Sequence, residues 1–145
     1  MRLEEIHAMW SEDSNVDNVD LDRESGRTPV LHAKYLRLLS EERMILHTLN
    51  EEMNELKAAK TERLLGHMTK EELDRRGWEP ERRRIMKPDV SEHLMADPEV
   101  IKLRLRIALQ KEKCDTLDSI VKMIMNRNFV MKIMIDWRKF TAGVG

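Results

Sequence analysis

Between Leu117 and Phe140, 14 of 24 residues are large and apolar, and this segment constrains the fold more than any other. They are Leu117, Ile120, Val121, Met123, Ile124, Met125, Phe129, Val130, Met131, Ile133, Met134, Ile135, Trp137 and Phe140. A surface helix of a monomer needs one apolar stripe, whereas these residues occupy more than half the helical circumference. The chain has 145 residues, of which 37% are charged and only 4% aromatic, so it offers little else to cover that surface. The reading is that Leu117, Ile120, Val121, Ile124, Phe129, Val130, Ile133, Met134, Trp137 and Phe140 join copies of the chain to one another. Met123, Met125, Met131 and Met134 would pack between subunits, or alternatively line an adaptable groove for a partner helix.

Glycine and proline are scarce, at 5 and 4 residues, while Leu, Met, Glu, Lys and Arg abound. That mixture favours helices over a sheet with many turns. Cys114 is the single cysteine, which excludes an internal disulfide, and no Cys/His spacing suggests a zinc site. Met1–Trp10 carries Arg2, Glu4 and Glu5 in place of the apolar run of a secretory leader. No stretch of about 18 uncharged apolar residues is present, so no membrane span and a cytoplasmic location are expected.

The net charge of −1 conceals a segregated pattern. Residues 1–27 carry a net −5, residues 75–87 a net +4 and residues 100–145 a net +6. An acidic arm on a basic body suits partner binding more than catalysis.

The expected organisation has three parts: residues 1–27, residues 28–97 and residues 98–145. Leu3–Trp10 forms a short helix, and residues 11–27, without helical period, form a mobile acidic arm. Thr28-Pro29 opens a long helix, with Thr as N-cap and Pro at the first helical position. Apolar residues then recur at 31, 35, 38/39, 45/46, 49, 53, 56 and 64, and Gly66 ends the helix. Glu42 and Lys60 interrupt this stripe. Thr69–Glu72 has a capping-box pattern for a short helix that stops near Gly77. Residues 78–88 read as an irregular basic loop. Asp97-Pro98 starts another helix, although Ile101, Leu103, Leu105 and Ile107 alternate with basic residues at a strand period. Asn126-Arg127-Asn128 is expected to break that helix near Met125, since Asn tolerates left-handed conformations, and Phe129, Ile133, Trp137 and Phe140 mark a final helix that ends before Gly143. The fold class is all-α, with long helices assembling through the apolar C-terminal region.

No nucleophile elbow, phosphate-binding glycine loop or dinucleotide fingerprint is present. His7, His32, His47, His67 and His93 lack ligand spacing, and Cys114 has no base beside it. The reading is of a protein that is not an enzyme and needs no cofactor or metal. The positive signal is electrostatic. Arg75, Arg76, Arg82, Arg83 and Arg84 surround Trp78, and Lys87 follows. Arginine forks grip phosphates and an indole face stacks on an unpaired base, which is single-strand chemistry. Lys57, Lys60 and Arg63 add a basic edge nearby. A solvated charged loop, or one paired with the acidic residues 1–27 of a neighbouring copy, is an equal reading from these residues alone.

The termini resemble a known family. Met1-Arg2-Leu3-Glu4-Glu5, Val100-Ile101-Lys102-Leu103, Leu117-Asp118-Ser119-Ile120 and Asp136-Trp137-Arg138-Lys139-Phe140-Thr141-Ala142-Gly143 are similar to the UvsY-like recombination mediators of T-even-type bacteriophages. The likeness is good over residues 90–143, looser over 28–66, and hardly reaches the acidic segment. It implies a homo-oligomeric ring, a hexamer or heptamer, formed through the C-terminal region in the infected host cell. It implies binding to single-stranded DNA, to the phage single-strand-binding protein and to the phage RecA-like recombinase. The mediator would load recombinase onto strands covered by the single-strand-binding protein. The family's Lys-Ala-Arg-Leu motif is not present verbatim; Lys57-Ala58-Ala59-Lys60 and Arg63-Leu64 are its nearest matches. Two other classes compete: an oligomeric interaction scaffold without DNA binding, and a duplex-binding regulator with a recognition helix near 126–140.

Overall fold

The computed structural model describes residues 1–143. Among them all regular structure is helical: α1 (Leu3–Asp13), α2 (Leu21–Leu64), α3 (Lys70–Arg76), a 3-10 turn (Lys87–Asp89), α4 (Val90–Ala96), α5 (Pro98–Met125) and α6 (Arg127–Thr141). They form two compact units, residues 1–44 with 110–143 and residues 45–109. The strand-like alternation after Val100 is overruled from upstream. Asp97 Oδ1 accepts the backbone N–H groups of Glu99 at 2.9 Å and Val100 at 3.2 Å, which fixes a helix start before the alternation begins. Asn126 breaks the chain between α5 and α6 without a left-handed conformation; its φ of −85° and ψ of −4° are right-handed.

The start of α2 differs from expectation. Asp20 caps it, accepting the Arg23 N–H at 3.2 Å, so the helix begins seven residues before Thr28 and contains Pro29. Its first turns are held by Arg127, which is buried in the first unit. The guanidinium donates to the Glu24 carbonyl at 2.6 Å, to Thr28 Oγ1 at 2.8 Å, and to the Glu24 carboxylate. The supposed acidic arm is likewise tied down. Asp13 accepts from Tyr35 Oη at 2.8 Å and pairs with Lys34 and Arg27, while Trp10 meets Tyr35 edge-on at 5.4 Å. Only Ser14–Asp20 lies outside the helices of this region.

The apolar stripe of α2 is buried at Leu31, Tyr35 and Leu39 in the first unit and at Leu49, Met53 and Leu64 in the second. The polar residues that interrupt it are buried too, and each has a partner. Glu42 accepts from Gln110 Nε2 and lies 3.7 Å from the Met1 amino group. In the second unit Leu49 and Met53 pack with Val100 and Leu103 of α5, flanked by Leu56 and Ile107.

The C-terminal apolar surplus divides in two. Leu117, Ile120, Val121 and Ile124 are buried within the first unit, as is Met131, which corrects their expected place at a subunit contact. They supply the core that the thin composition lacked. On α6, Phe129, Val130, Ile133, Trp137 and Phe140 are exposed, and Met134 is half-buried. At about 100° per residue these five exposed side chains share one face, opposite Met131.

Removing Arg127 would leave the buried Glu24 carboxylate with only Arg27, at 3.3 Å, as a cationic partner. Arg127→Met is expected to cost about 3 kcal/mol, measured as a lower urea midpoint by circular dichroism. Burial pushes the Glu24 and Asp13 carboxyls up, but hydrogen bonds from Arg127 and from Lys34 and Tyr35, respectively, outweigh it and hold both below their ordinary values. Stability from these groups is therefore present above the unfolded carboxylate pKa and lost as pH falls through the folded values. Helicity should be flat from about pH 5 to 8 and decline in acid below the ordinary carboxylate range; an acid-insensitive midpoint would contradict this.

Candidate nucleic-acid interface

The basic residues singled out in the sequence all lie in the second unit, where folding sorts them into occupied and free cations. Thr69 Oγ1 accepts the Glu72 N–H at 3.3 Å and starts α3. Gly77, at φ +71°, ends it in the left-handed region that suits glycine. That stop turns Trp78 back toward α2 and α5. Its ring lies 4.1 Å beneath Lys60 Nζ and 5.0 Å from the Arg76 guanidinium, and its Nε1 donates to Glu99 Oε1 at 2.8 Å. The expected stacking platform is thus engaged inside the chain.

Lys60 is only 6% exposed, with Asp97 at 3.1 Å and Glu99 at 3.3 Å. It neutralises two carboxylates at the start of α5. Arg63 donates to the Glu79 carbonyl at 2.6 Å and lies 3.9 Å from Glu81. Arg83 also pairs with Glu81 at 3.1 Å, and its guanidinium and backbone N–H hold the Glu81 carboxyl below its ordinary range. Arg76 borders a groove that contains Glu52, Glu55 and Glu99 as well as Lys102 and Arg106. Arg75 and Arg82 are exposed.

The free cations meet elsewhere. Lys57 on α2, Lys87 on the 3-10 turn and Arg104 on α5 border one depression of about 340 Å³. Its floor is Met53, Val90, Leu94, Met95 and Val100, with Ser91 at its side and no carboxylate in the lining. All three cations are exposed. Lys87 also borders a second groove of about 420 Å³ with Arg83, Arg84 and Glu81, beside the end of α2. Lys87 therefore links both depressions into one basic strip. Arg104 and helix α4 were not foreseen. Arg104 was hidden among alternating bases, and α4 is a seven-residue helix between two prolines, too short for a periodic signal. Among the described residues no group of three or more His, Cys, Asp or Glu is placed to hold a metal. The buried Cys114 thiol is pushed up by burial and by Glu42, the opposite of what activates a nucleophile. No helix of the described residues is long and apolar enough to cross a membrane.

The family model described as "Recombination, repair and ssDNA binding protein UvsY" matches residues 9–144. The chain belongs to the UvsY family. Crystal structures of the bacteriophage T4 recombination mediator protein UvsY share the fold. One superposes with a TM-score of 0.84 at 22% identity, covering 98% of both chains. A second lattice form gives 0.85 at 21% identity, covering 97% of this chain and 99% of that one. No curated protein matches the sequence. The family is thus one of recombination, repair and single-stranded DNA binding, and UvsY structures share this all-α architecture end to end.

Because Lys60 serves the fold, Lys60→Met should lower the thermal midpoint of the chain by about 2 kcal/mol equivalent, the cost of leaving Asp97 and Glu99 without their buried partner. A midpoint unchanged in differential scanning calorimetry would place Lys60 outside the core.

Proposed function

We propose that this protein binds single-stranded DNA along the strip of Arg104, Lys57, Lys87 and Arg84, with Arg82 and Arg75 as outlying cations. The convergence of three cations from three elements, around a depression without a carboxylate, carries this reading. The family description supports it. Around that depression Lys57, Lys87 and Arg104 meet no carboxylate in the lining, so a phosphate backbone gains their attraction and releases its counterions. Lys57 keeps the place that the family resemblance suggests. Lys60, Trp78 and Arg63 act instead as the frame that holds the strip.

We also propose that copies associate through the exposed face of α6, forming the hexameric or heptameric ring implied by the resemblance. Ile133, Trp137 and Phe140 are 53%, 66% and 73% exposed, and the Trp137 and Phe140 rings stack at 5.6 Å. A contiguous apolar face of this kind marks an association surface. Repetition of the strip then matters, because several modest phosphate sites on one assembly hold a flexible strand far more tightly than one. The T4 relative is a recombination mediator. Carried here, the task is to hold a strand covered by the phage single-strand-binding protein in a shape that favours the RecA-like recombinase. Nothing in this scheme requires bond chemistry.

With about four phosphates neutralised per subunit, log affinity for an oligonucleotide should fall against log salt with a slope near −3 per subunit site. Lys57→Ala and Arg104→Ala should each flatten that slope by about 0.7 while leaving the thermal midpoint unchanged. A slope insensitive to both would remove the strip from the interface. Light scattering should show Ile133→Asp dissociating to a folded protomer, since that side chain lies outside the protomer core. Met131→Asp should instead unfold the first unit. An intact oligomer in folded Ile133→Asp would count against α6 as the contact.

A further inference from the structure

The depression between Lys57, Lys87 and Arg104 is more than a place for phosphates. Its floor is entirely aliphatic or thioether, and Met95 in it is 64% exposed. Water covers apolar surface there that no other part of the second unit closes. We propose that this depression takes one unstacked base of the strand, with the phosphates flanking that nucleotide on Lys57, Lys87 and Arg104. The inference rests on the strand-binding reading and adds a subsite to it.

Three features select a nucleotide. The rim is purely cationic, so the occupant is anionic at its edges and apolar at its centre. A nucleotide has that distribution, with charge on the backbone and a flat, weakly solvated face on the base. The volume of about 340 Å³ admits a base together with part of its sugar. The walls also offer almost nothing that could read a base edge. Ser91 is the one uncharged side chain in the lining with a hydrogen-bonding head, and methionine adapts its shape to whatever it meets. Such a floor accepts every base about equally, as a protein handling arbitrary sequence requires. Each inserted base would also break the stack locally and open the backbone on either side. A strand held this way is stretched at the cations and unstacked at the floor, which is a geometric change that phosphate contacts alone would not impose.

The experiment compares a mixed-sequence oligonucleotide with an all-abasic sugar-phosphate strand of the same length and charge, using the full-length chain at fixed salt. A 2-aminopurine placed within a purine run of the first strand reports unstacking. Two variants change the depression at exposed positions: Ser91→Leu fills it, and Met95→Ala removes part of its floor. Circular dichroism checks that both remain helical. The base-bearing strand should bind roughly three- to tenfold more tightly than the abasic one, the worth of one apolar contact. The 2-aminopurine signal should rise on binding. Ser91→Leu should shrink the affinity ratio below about twofold with the salt slope retained, because the counterion term is untouched, and Met95→Ala should shrink it in part. Equal binding of the two strands by the unaltered protein would overturn the base subsite while leaving strand binding intact. Failure of either strand to bind would overturn the strand-binding reading itself. A third arm uses an acidic peptide carrying spaced leucines. Loss of its binding in Ser91→Leu, with the strand ratio unmoved, would assign the depression to a protein segment and refute the proposal.

Discussion

Three charges buried along one helix set the pairing of everything else. Glu24, Glu42 and Lys60 follow one another at intervals of 18 residues on α2, which is five turns at about 3.6 residues each, so they fall in register with the apolar stripe. A stripe of leucines alone would tolerate sliding by a turn. A buried charge does not, because each displaced partner leaves an uncompensated ion in the core. Glu24 is met by Arg127 and by Arg27 of its own helix, Glu42 by Gln110 and the chain's own amino group, and Lys60 by Asp97 and Glu99. In the first unit the partners descend as α2 ascends, Glu24 meeting Arg127 and Glu42 meeting Gln110, which is the signature of an antiparallel pairing held at fixed points.

The same logic explains which cations are left for a partner. Charges that lie on the stripe, or beside the acids that start α5, are consumed by the fold. Those off the stripe are consumed only where another segment brings an acid or carbonyl alongside, as for Lys34 with Asp13 and Arg63 with Glu79 and Glu81. Lys57 and Lys60 are three residues apart but differ in surroundings: one is exposed at the rim of an acid-free depression, the other lies beneath the surface against a tryptophan ring. A basic run in a sequence is therefore a mixture. Its members are sorted by helical phase, and by the acids that other segments bring alongside.

Much of the fold was legible because it is written locally. Thr69, Gly77, Asp97 and Gly66 punctuate helices through their own backbones and caps, and the stripe of α2 is a repetition within one segment. The beginning of α2 was misread because its stabiliser, Arg127, lies 103 residues away, and Thr28-Pro29 presents a plausible start with no hint of that partner. The C-terminal surplus was recognised as a surplus but could not be divided from periodicity alone. Leu117 and Phe129 are equally apolar, and only the arrival of α2 decides that the first is covered within the chain. The basic strip was half legible for the same reason. Lys57 and Lys87 stand out by composition, whereas Arg104 joins them only after α5 is laid against α2 in the second unit.

The early turns of α2 carry a further implication, for the order in which the chain folds. Gly26 and Pro29 sit within eight residues of its start, and both oppose helix when a segment must form unaided. What holds this stretch is a guanidinium from the opposite end of the sequence, and closing so long a loop comes late. The middle of α2, free of glycine and proline from Val30 to Leu64, has no such local obstacle. Its N-terminal turns have the Asp20 cap and the Asp13–Arg27 pair from nearby, but they gain the Arg127 hydrogen bonds only once α6 is made.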